Sequence, residues 1–382
     1  MIFSLTQGLL IIVIFQLILI ALFLFTHDKG KKISNILLGT FFLSIALNLL
    51  DSFLLIEKIY LYNTALVAWG SCLPLLFGPL LYLYTRSVLI KDFRMTSRAW
   101  MHFVPFLLVF VLTETGYLLL DRDAKLEMIQ NLVSRKIPPY VYFVSALIFL
   151  QFFFYAGASL HLISKYKSLV SQRYSDEHRN NISWLSSTII FFTICMVISA
   201  FSGFVGLTSL AQYYYLILVI IIFGVFVFIN RVLLKALRRP EIFAWMEHDE
   251  KPLALASTKY SGSGLNEGDK DKILNQLKNY FEKEKPYLDP ELSLDQLAGF
   301  LEIRPKILSQ VINESLHKNF FEFINWYRIE EAKKKLINPV DKKVTVLEIL
   351  YEVGFNSKSS FNTIFKKHTG LTPSEFKKKN NS

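Results

Sequence analysis

The sequence predicts an all-α protein in two parts: a seven-helix transmembrane bundle, then a soluble domain that carries two helix-turn-helix units. Three observations support this fold class. Seven apolar runs of spanning length occupy residues 1–239. From Lys270 onward, apolar residues recur with the period of amphipathic helices. The mean hydropathy of +0.36 is high for a soluble chain of 382 residues.

The composition limits the chemistry that the chain can carry. Its formal net charge of +11 favours nucleic acid or a membrane surface as a partner. Its two cysteines, Cys72 and Cys195, both lie in apolar runs, so neither a disulfide framework nor a metal cluster is expected. The helical zinc-protease motif and the nucleophile-elbow motif are both absent from the sequence. We therefore expect neither an enzyme nor a cofactor.

A helix that crosses the hydrocarbon core of a bilayer needs about 20 mostly apolar residues. Seven segments have this character: 5–25, 33–55, 66–84, 100–120, 140–162, 184–207 and 213–230. The first lacks a basic leader and a small-residue cleavage site, and we interpret it as an uncleaved span. The third contains Pro74, Gly78 and Pro79. We expect one kinked helix there, because neighbouring helices can pair the backbone groups that proline frees.

Basic residues flank the predicted spans unequally. The first, third and fifth loops and the segment after the last span carry 15 Lys and Arg in total, whereas the other loops carry 5. Short loops rich in Lys and Arg stay in the cytoplasm. We therefore expect a multi-pass protein of the cell (inner) membrane, with its N-terminus outside and its C-terminal domain in the cytoplasm.

Two acidic residues fall in the outer parts of predicted spans, Asp51 in the second and Glu114 in the fourth. Ionisable side chains inside a span are costly and are therefore functional candidates. Together with Asn48 and Gln151, they would line an outward-facing pocket for an unidentified small-molecule or envelope signal. The alternative is that both acids lie at the level of the lipid headgroups and stay hydrated.

Residues 240–269 separate the two parts of the chain. Pro240, Pro252 and the polar, turn-forming run 257–268 predict a flexible linker. The predicted domains are thus a transmembrane domain (1–239), a linker (240–269) and a soluble domain (270–382).

The soluble domain begins with an amphipathic helix that Pro286 ends, and two blocks of similar plan follow. The first block opens with a capping-box pattern at residues 293–296. A short helix to about Leu301, a turn and a second helix from Pro305 are expected. The second helix turns outward four residues of types that reach bases and phosphates: Lys306, Ser309, Gln310 and Asn313.

A long amphipathic helix, residues 320–337, separates the blocks and would hold them at a fixed spacing. In the second block, residues 346–353 predict the first helix and Gly354 its left-handed end. The second helix, residues 358–368, turns outward Lys358, Ser359, Asn362 and Lys366. Gly370 closes this helix, and a capping box at residues 372–375 starts a last short helix.

The charge of this region favours a nucleic-acid partner. From Ile303 onward the chain has 15 Lys and Arg against 8 Asp and Glu, a formal net charge of +7. Such a surface favours binding to the phosphate backbone. The alternatives for charge alone are a solvated surface or a patch against anionic lipid. The paired helix-turn-helix plan favours double-stranded DNA, read in the major groove by two helices about 34 Å apart.

Four motifs follow one another in this region: 328–332 (RIEEA), 352–361 (EVGFNSKSSF), 365–367 (FKK) and 369–376 (TGLTPSEF). In their order and spacing they resemble the AraC/XylS family of transcription regulators. The resemblance covers about 100 residues and implies DNA binding by two recognition helices, which would read bases with Lys306, Ser309, Gln310, Lys358, Ser359, Asn362 and Thr363. Two residues depart from the family pattern: Leu350 replaces the usual Ala, and Asn319 stands where Gly is frequent.

We therefore expect a membrane-anchored, sequence-specific DNA-binding transcription regulator, a one-component sensor that couples a membrane or extracytoplasmic signal to transcription. Its expected partners are DNA, the lipid bilayer and a signal molecule, with RNA polymerase and a second copy of the chain as further candidates. Two alternatives remain open at this point. One is a tethered regulator that proteolysis releases, and the other is a membrane transporter or enzyme with a regulatory helix-turn-helix appendage.

Overall fold

The computed structural model describes residues 5–28, 30–64, 69–90, 92–134, 138–175, 182–206, 208, 213–238, 266–337 and 344–380. Within these ranges the chain is helical apart from turns and one isolated antiparallel β-bridge, which confirms the all-α prediction there. The chain divides into two compact units: Met1–Ile163 with Trp184–Pro252, and Ser164–Ser183 with Leu253–Ser382. Most of the predicted linker, residues 240–265, lies outside the described residues.

The helices of the first unit follow the apolar runs of the sequence. A short helix, α4, leads through one 3₁₀ turn into α5, so that the two together occupy the fourth predicted span. The described helices are α1 (Leu5–Thr26), α2 (Lys32–Ile56), α3 (Pro74–Leu89), α4 (Ser97–Trp100), α5 (Val104–Leu118), α6 (Arg122–Val133), α7 (Pro139–Ser171), α8 (Ser183–Val205) and α9 (Tyr214–Arg238). The last residues of α7, from Ser164 on, fall in the second unit.

Five helical stretches in the described ranges are long and apolar enough to cross a membrane: Thr6–Thr26, Lys32–Ile56, Ser97–Leu118, Tyr140–Ser171 and Ser183–Val205. They coincide with five of the seven predicted spans. α9 adds a shorter apolar stretch, Leu216–Val232, at the position of the seventh. Length and composition alone therefore support a bundle of apolar helices, with the third span as the exception.

The prediction of one kinked helix over residues 66–84 is wrong. α3 begins only at Pro74, and residues 69–73 form turns, while 65–68 lie outside the described ranges. Proline is favoured at the first helical position because its missing N–H would have no intrahelical acceptor there. The 16 residues of α3 rise about 24 Å at 1.5 Å per residue. That length falls short of a hydrocarbon core of about 30 Å.

α3 and α7 approach each other closely at Gly78. A Cβ atom at this position would lie 2.9 Å from Cδ2 of Tyr155 and 3.3 Å from Cα of Phe152. Small residues allow helix backbones in a membrane bundle to come together in this way. The residue that the sequence marks as a helix breaker therefore serves helix packing.

The second unit contains the two predicted blocks. Its described helices are α10 (Glu267–Glu284), α11 (Leu294–Phe300), α12 (Pro305–Leu316), α13 (Phe320–Ile337), α14 (Val346–Glu352), α15 (Lys358–Thr369) and α16 (Pro373–Asn380). The expected helices of both blocks are confirmed to within one or two residues. α10 starts earlier than expected, because the Asn266 side chain caps it by accepting a hydrogen bond from the Asp269 N–H.

Two hydrophobic cores stabilise this unit, and α13 contributes to both. We call α11 and α12, with the turn between them, the first head. We call α14 and α15, with the turn between them, the second head. The first core gathers buried residues of α10 to α13, among them Leu277, Phe281, Leu297, Leu308, Ile312 and Ile324. The second gathers Ile329, Ala332, Leu336, Ile349, Leu350, Phe361 and Phe365. Leu350, which departs from the family pattern, is fully buried in the second core.

Local capping interactions set the helix starts, as the sequence predicts. The Ser293–Gln296 box begins α11, and the hydroxyl and backbone of Thr372 pair with Glu375 at the start of α16. A third box, Thr345 with Glu348, begins α14. These side chains pair the N–H groups that have no acceptor in the first turn of a helix.

Asn319 does not adopt the left-handed conformation that the family's glycine suggests. His317 does so instead, with φ at 51°, and ends α12. Asn319 begins α13, because its side chain accepts a hydrogen bond from the Glu322 N–H at 2.9 Å. The Glu322 carboxylate accepts one in return from the Asn319 N–H. The pair acts as a capping box.

Gly78→Ala is expected to lower the melting temperature of the full-length protein in detergent micelles. Its Cβ would press on the α7 backbone, and overpacking of this kind costs about 1–3 kcal/mol. Gly157→Ala on α7 is the matched control, because nothing lies within 4 Å of its Cβ position. The control should be neutral or slightly stabilising. Equal melting temperatures for both variants would contradict close packing of α3 on α7.

Candidate nucleic-acid interface

α15 presents a polar, basic face on the second head. Its apolar residues Phe361, Ile364 and Phe365 are buried in the second core, which fixes the rotation of the helix. The opposite face exposes four of the predicted DNA-contacting side chains: Lys358, Ser359, Thr363 and Lys366. Asn362 lies half-buried beside them. Side chains of these types reach both base edges and phosphates.

α12 differs from α15, and the expectation that Ser309 and Gln310 face outward is wrong. Their exposed fractions are only 8% and 5%. Lys306 is exposed at the start of the helix, and Asn313 is half-buried, donating a hydrogen bond to the Ser309 carbonyl at 2.8 Å. Only part of the predicted reading face of α12 is therefore accessible.

α12 also makes a contact that its periodicity does not reveal. α10 packs against α12, and Lys270 of α10 forms a 2.8 Å ion pair with Glu314 of α12. Gln310 donates a hydrogen bond to the same carboxylate at 2.9 Å. The hydrogen bond from Lys270 lowers the pKa of the Glu314 carboxyl, so the carboxylate stays charged near neutral pH. Gln310 is thus engaged within the unit.

Lysines of this region differ in how far the unit itself neutralises them. Lys333 pairs with Glu330 at 2.8 Å, and Lys335 pairs with Glu352 at 2.5 Å. Lys358 and Lys366 on α15 have no salt-bridge partner among the described residues. Their charge is available to an external anion such as a phosphate group.

A buried arginine joins the two heads. Arg328 of α13 is 1% exposed, and its Nε donates to the Tyr287 carbonyl at 2.7 Å. Its Nη2 donates to the Asp289 carbonyl, also at 2.7 Å. The guanidinium carbon lies 5.6 Å from the ring centroid of Phe355 in the second head. One charged group therefore fixes the turn before the first head against the second head.

Gly354 completes the contact between the two heads. We call this contact the seam: Arg328, Gly354 and Phe355 against the turn at Tyr287–Asp289. The φ of +88° at Gly354 is one that side chains disfavour, as the sequence predicts for the end of α14. The sequence does not reveal the close approach that accompanies it. A Cβ here would lie 2.7 Å from the Tyr287 carbonyl oxygen and 2.8 Å from that of Leu288. The two heads thus meet backbone to backbone.

The predicted pocket residues of the first unit are only partly brought together. The Asn48 side chain donates to the Gly70 carbonyl at 3.1 Å, and the Tyr60 hydroxyl donates to Asp51 Oδ1 at 2.6 Å. Gly70 lies against Asp51, where any Cβ would overlap the aspartate. Among the described residues, no hydrogen bond links this pair to Glu114 or Gln151. Oε1 of Glu114 and Nε2 of Gln151 are buried without a hydrogen-bond partner there.

Comparison with known proteins supports the interpretation of the C-terminal region. Residues 297–379 match a family described as "Helix-turn-helix domain". Residues 297–379 form an AraC-type helix-turn-helix domain. The match spans α11 to α16 except for their outermost residues and covers both heads. It leaves the first unit and α10 outside.

Several curated relatives share this region. The uncharacterized transcriptional regulatory protein YesN of Bacillus subtilis is 36% identical over 93 residues, which are 24% of this chain and 25% of the relative. An HTH-type transcriptional regulator in the cgkA 5′ region of Pseudoalteromonas carrageenovora is 35% identical over 88 residues, 23% of this chain and 50% of the relative. The chain thus spans a quarter to a half of the length of these two proteins.

Solved structures also match the same region. The C-terminal domain of AraT, a response regulator from Geobacillus stearothermophilus, is 26% identical, with a TM-score of 0.26. The match covers 31% of this chain and 88% of that domain. The C-terminal domain of the response regulator yesN from Fusobacterium nucleatum is also 26% identical, with a TM-score of 0.24. That match covers 29% of this chain and 98% of that domain.

Gly354→Ala is expected to destabilise a fragment of residues 266–382 by about 2–4 kcal/mol, because strain at positive φ adds to overlap with two backbone carbonyls. Gly370→Ala is the matched control: its φ is +77°, but nothing lies within 4 Å of its Cβ position. The control should cost only about 1 kcal/mol. Urea unfolding followed by circular dichroism measures both. Equal losses would show that the seam contact contributes nothing.

Proposed function

We propose that the chain is a membrane-anchored transcription regulator whose two heads bind double-stranded DNA in the major groove. The observation that carries this proposal is the exposed, basic face of α15 within an AraC-type helix-turn-helix domain. Relatives that share the domain are named as transcriptional regulators. A recognition helix places polar side chains against base edges while nearby cations contact phosphates.

The two heads contribute differently to the proposed DNA binding. In the second head, Lys358, Ser359, Asn362 and Thr363 read bases, and Lys366 contacts the phosphate backbone. In the first head, Lys306 and Asn313 take these roles, since they are the predicted readers that solvent reaches. Ser309 and Gln310 form hydrogen bonds within α12 instead, with Asn313 and Glu314.

Exposed apolar surface supports the membrane part of the proposal. Along α5, the side chains of Leu107, Leu108, Val111 and Leu112 are each more than half exposed. In water such a stripe would be unfavourable, whereas lipid covers it at no cost. In the second unit the large exposed apolar side chains, among those described, are scattered: Phe300, Trp326, Ile337, Leu347 and Tyr351. In this proposal the first unit lies in the cell (inner) membrane as a seven-segment bundle, with α3 as a short, buried segment.

The proposed role of the membrane unit is to sense a small-molecule or envelope signal. Support comes from Asp51 with its Tyr60 partner and from the unpaired buried atoms of Glu114 and Gln151. Buried polar atoms without partners are costly and are frequent at functional positions. A signal acts by binding two states of the unit with different affinity. RNA polymerase and a second copy of the chain remain further candidate partners.

Asn362→Ala is expected to relax sequence preference at one base position, with a loss of about 1–3 kcal/mol of discrimination. Lys366→Ala should weaken binding to all duplexes and reduce the slope of log affinity against log salt by about 1. Duplexes selected from a random library by the full-length protein, followed by anisotropy titrations, measure both effects.

Gln310→Ala serves as the control for these titrations. Because the Gln310 side chain is buried and bonded to Glu314, its loss should leave base preference unchanged. A change in base preference with Gln310→Ala, or none with Asn362→Ala, would overturn the assignment of readers.

Fractionation of cells that express the chain with a C-terminal tag tests the anchor. The full-length protein is expected in the inner membrane, with the tag cleaved by added protease only in inverted vesicles. A soluble tagged fragment instead would support a regulator released by proteolysis. Tag digestion in right-side-out spheroplasts would reverse the proposed orientation.

A further inference from the structure

Three residues that follow α7 belong to the second unit, and they pair with the chain just before α11. We call residues 173–175 the docking segment. The Arg173 carbonyl accepts a hydrogen bond from the Leu294 N–H at 2.8 Å, and Tyr174 forms an antiparallel β-bridge with Ser293. The Ser175 hydroxyl donates to the Leu292 carbonyl at 2.8 Å. The segment adds a short strand-like edge to the first head.

Ser175 is 1% exposed because side chains of α13 enclose it. Arg328 Nη1 donates to the Ser175 carbonyl at 3.2 Å, and Nη2 donates to its hydroxyl at 3.1 Å. Asn325 Nδ2 lies 3.3 Å from the same carbonyl. Hydrogen bonds to a buried charge are stronger than neutral ones, and the loss of an acceptor leaves donors of that charge unpaired.

The contact between Ser175 and Arg328 can affect the spacing of the two heads, because Arg328 also holds the heads together. The same guanidinium holds the Tyr287 and Asp289 carbonyls and lies over Phe355 of the second head. Some N–H groups of Arg328 thus donate to the turn before the first head, and others donate to the docking segment. A change at Ser175 therefore alters the group that fixes one head against the other.

We propose that the docking segment is an intrachain ligand of the seam and sets the relative placement of the two heads. This inference rests on the proposed DNA-binding function and deepens it by naming the contact that regulates it. With the segment docked, the two recognition helices are held for one spacing of half-sites. With the segment released, Arg328 loses two of its acceptors and the heads accept a wider range of spacings.

Disulfide cross-linking tests the docking itself. The experiment uses the full-length protein in native membranes, with Cys72 and Cys195 replaced by alanine. A variant that carries both Tyr174→Cys and Ser293→Cys should form a disulfide, since residues paired in a β-bridge lie within disulfide reach. Added Ser175→Ala should slow cross-linking about tenfold, because it removes one bond to the buried charge and one to Leu292. Added Ser171→Ala is the matched control, since that hydroxyl donates only within α7. Absent cross-linking, or equal slowing by both changes, overturns the docking.

DNA binding tests the consequence. Duplexes selected from a random library by the full-length protein in nanodiscs are compared with the same duplexes carrying one or two base pairs inserted between the half-sites. The wild type and Ser171→Ala should lose affinity about tenfold on insertion, and Ser175→Ala about threefold or less. An identical spacing profile for Ser175→Ala would overturn the regulatory role. Failure to select any DNA while the cross-link forms would refute the proposed DNA binding, and with it the role in spacing, but not the docking.

Discussion

The charge of the Arg328 guanidinium is enclosed between the two heads, and the second unit is arranged to satisfy it. Burying a charge without partners destabilises a fold by several kcal/mol, so the fold must supply hydrogen-bond acceptors around the guanidinium. The Tyr287 and Asp289 carbonyls meet this condition, and both belong to the turn before the first head. α13 carries the arginine between two separate cores. The two heads are therefore joined by a polar contact with defined directions, which a continuous apolar interface would lack.

The two units differ in where their apolar side chains lie. In the second unit, leucines and phenylalanines fill two compact cores, and polar side chains cover the outside. In the first, apolar side chains are exposed along whole helices such as α5. A single chain thus combines a unit that has two compact apolar cores with a unit that exposes apolar stripes and packs its helices closely, as at Gly78.

Local features of the fold were predictable from the sequence. The capping boxes at Ser293 and Thr372 involve only residues three apart in the sequence. The apolar helices could be predicted from the length of the apolar runs alone. Pro74 misled the prediction of the third span, because a proline at the first helical position and a proline at a kink look alike in a sequence. Distinguishing them requires knowledge of which neighbours pair the backbone.

The candidate site was predictable on α15 and only in part on α12. On α15 the apolar stripe alone marks the buried side, and Lys358, Ser359 and Lys366 on the other side are exposed. On α12, Ser309 and Gln310 are buried although the apolar stripe does not include them. Arg328 carried no signal of its role, since a single arginine in an amphipathic helix resembles a solvated residue. Its function depends on carbonyls about 40 residues away.

The burial of Ser309 and Gln310 on α12 also bears on the form of the DNA sites. For a regulator of the proposed kind, base identity is checked mainly under α15, where four polar side chains are exposed. The half-site under α12 is held more by charge and position than by direct reading. The binding sites of this protein would then be lopsided, with one half-site strongly constrained in sequence and the other free to vary. Mutations could change the weaker half-site of a promoter with little loss of control.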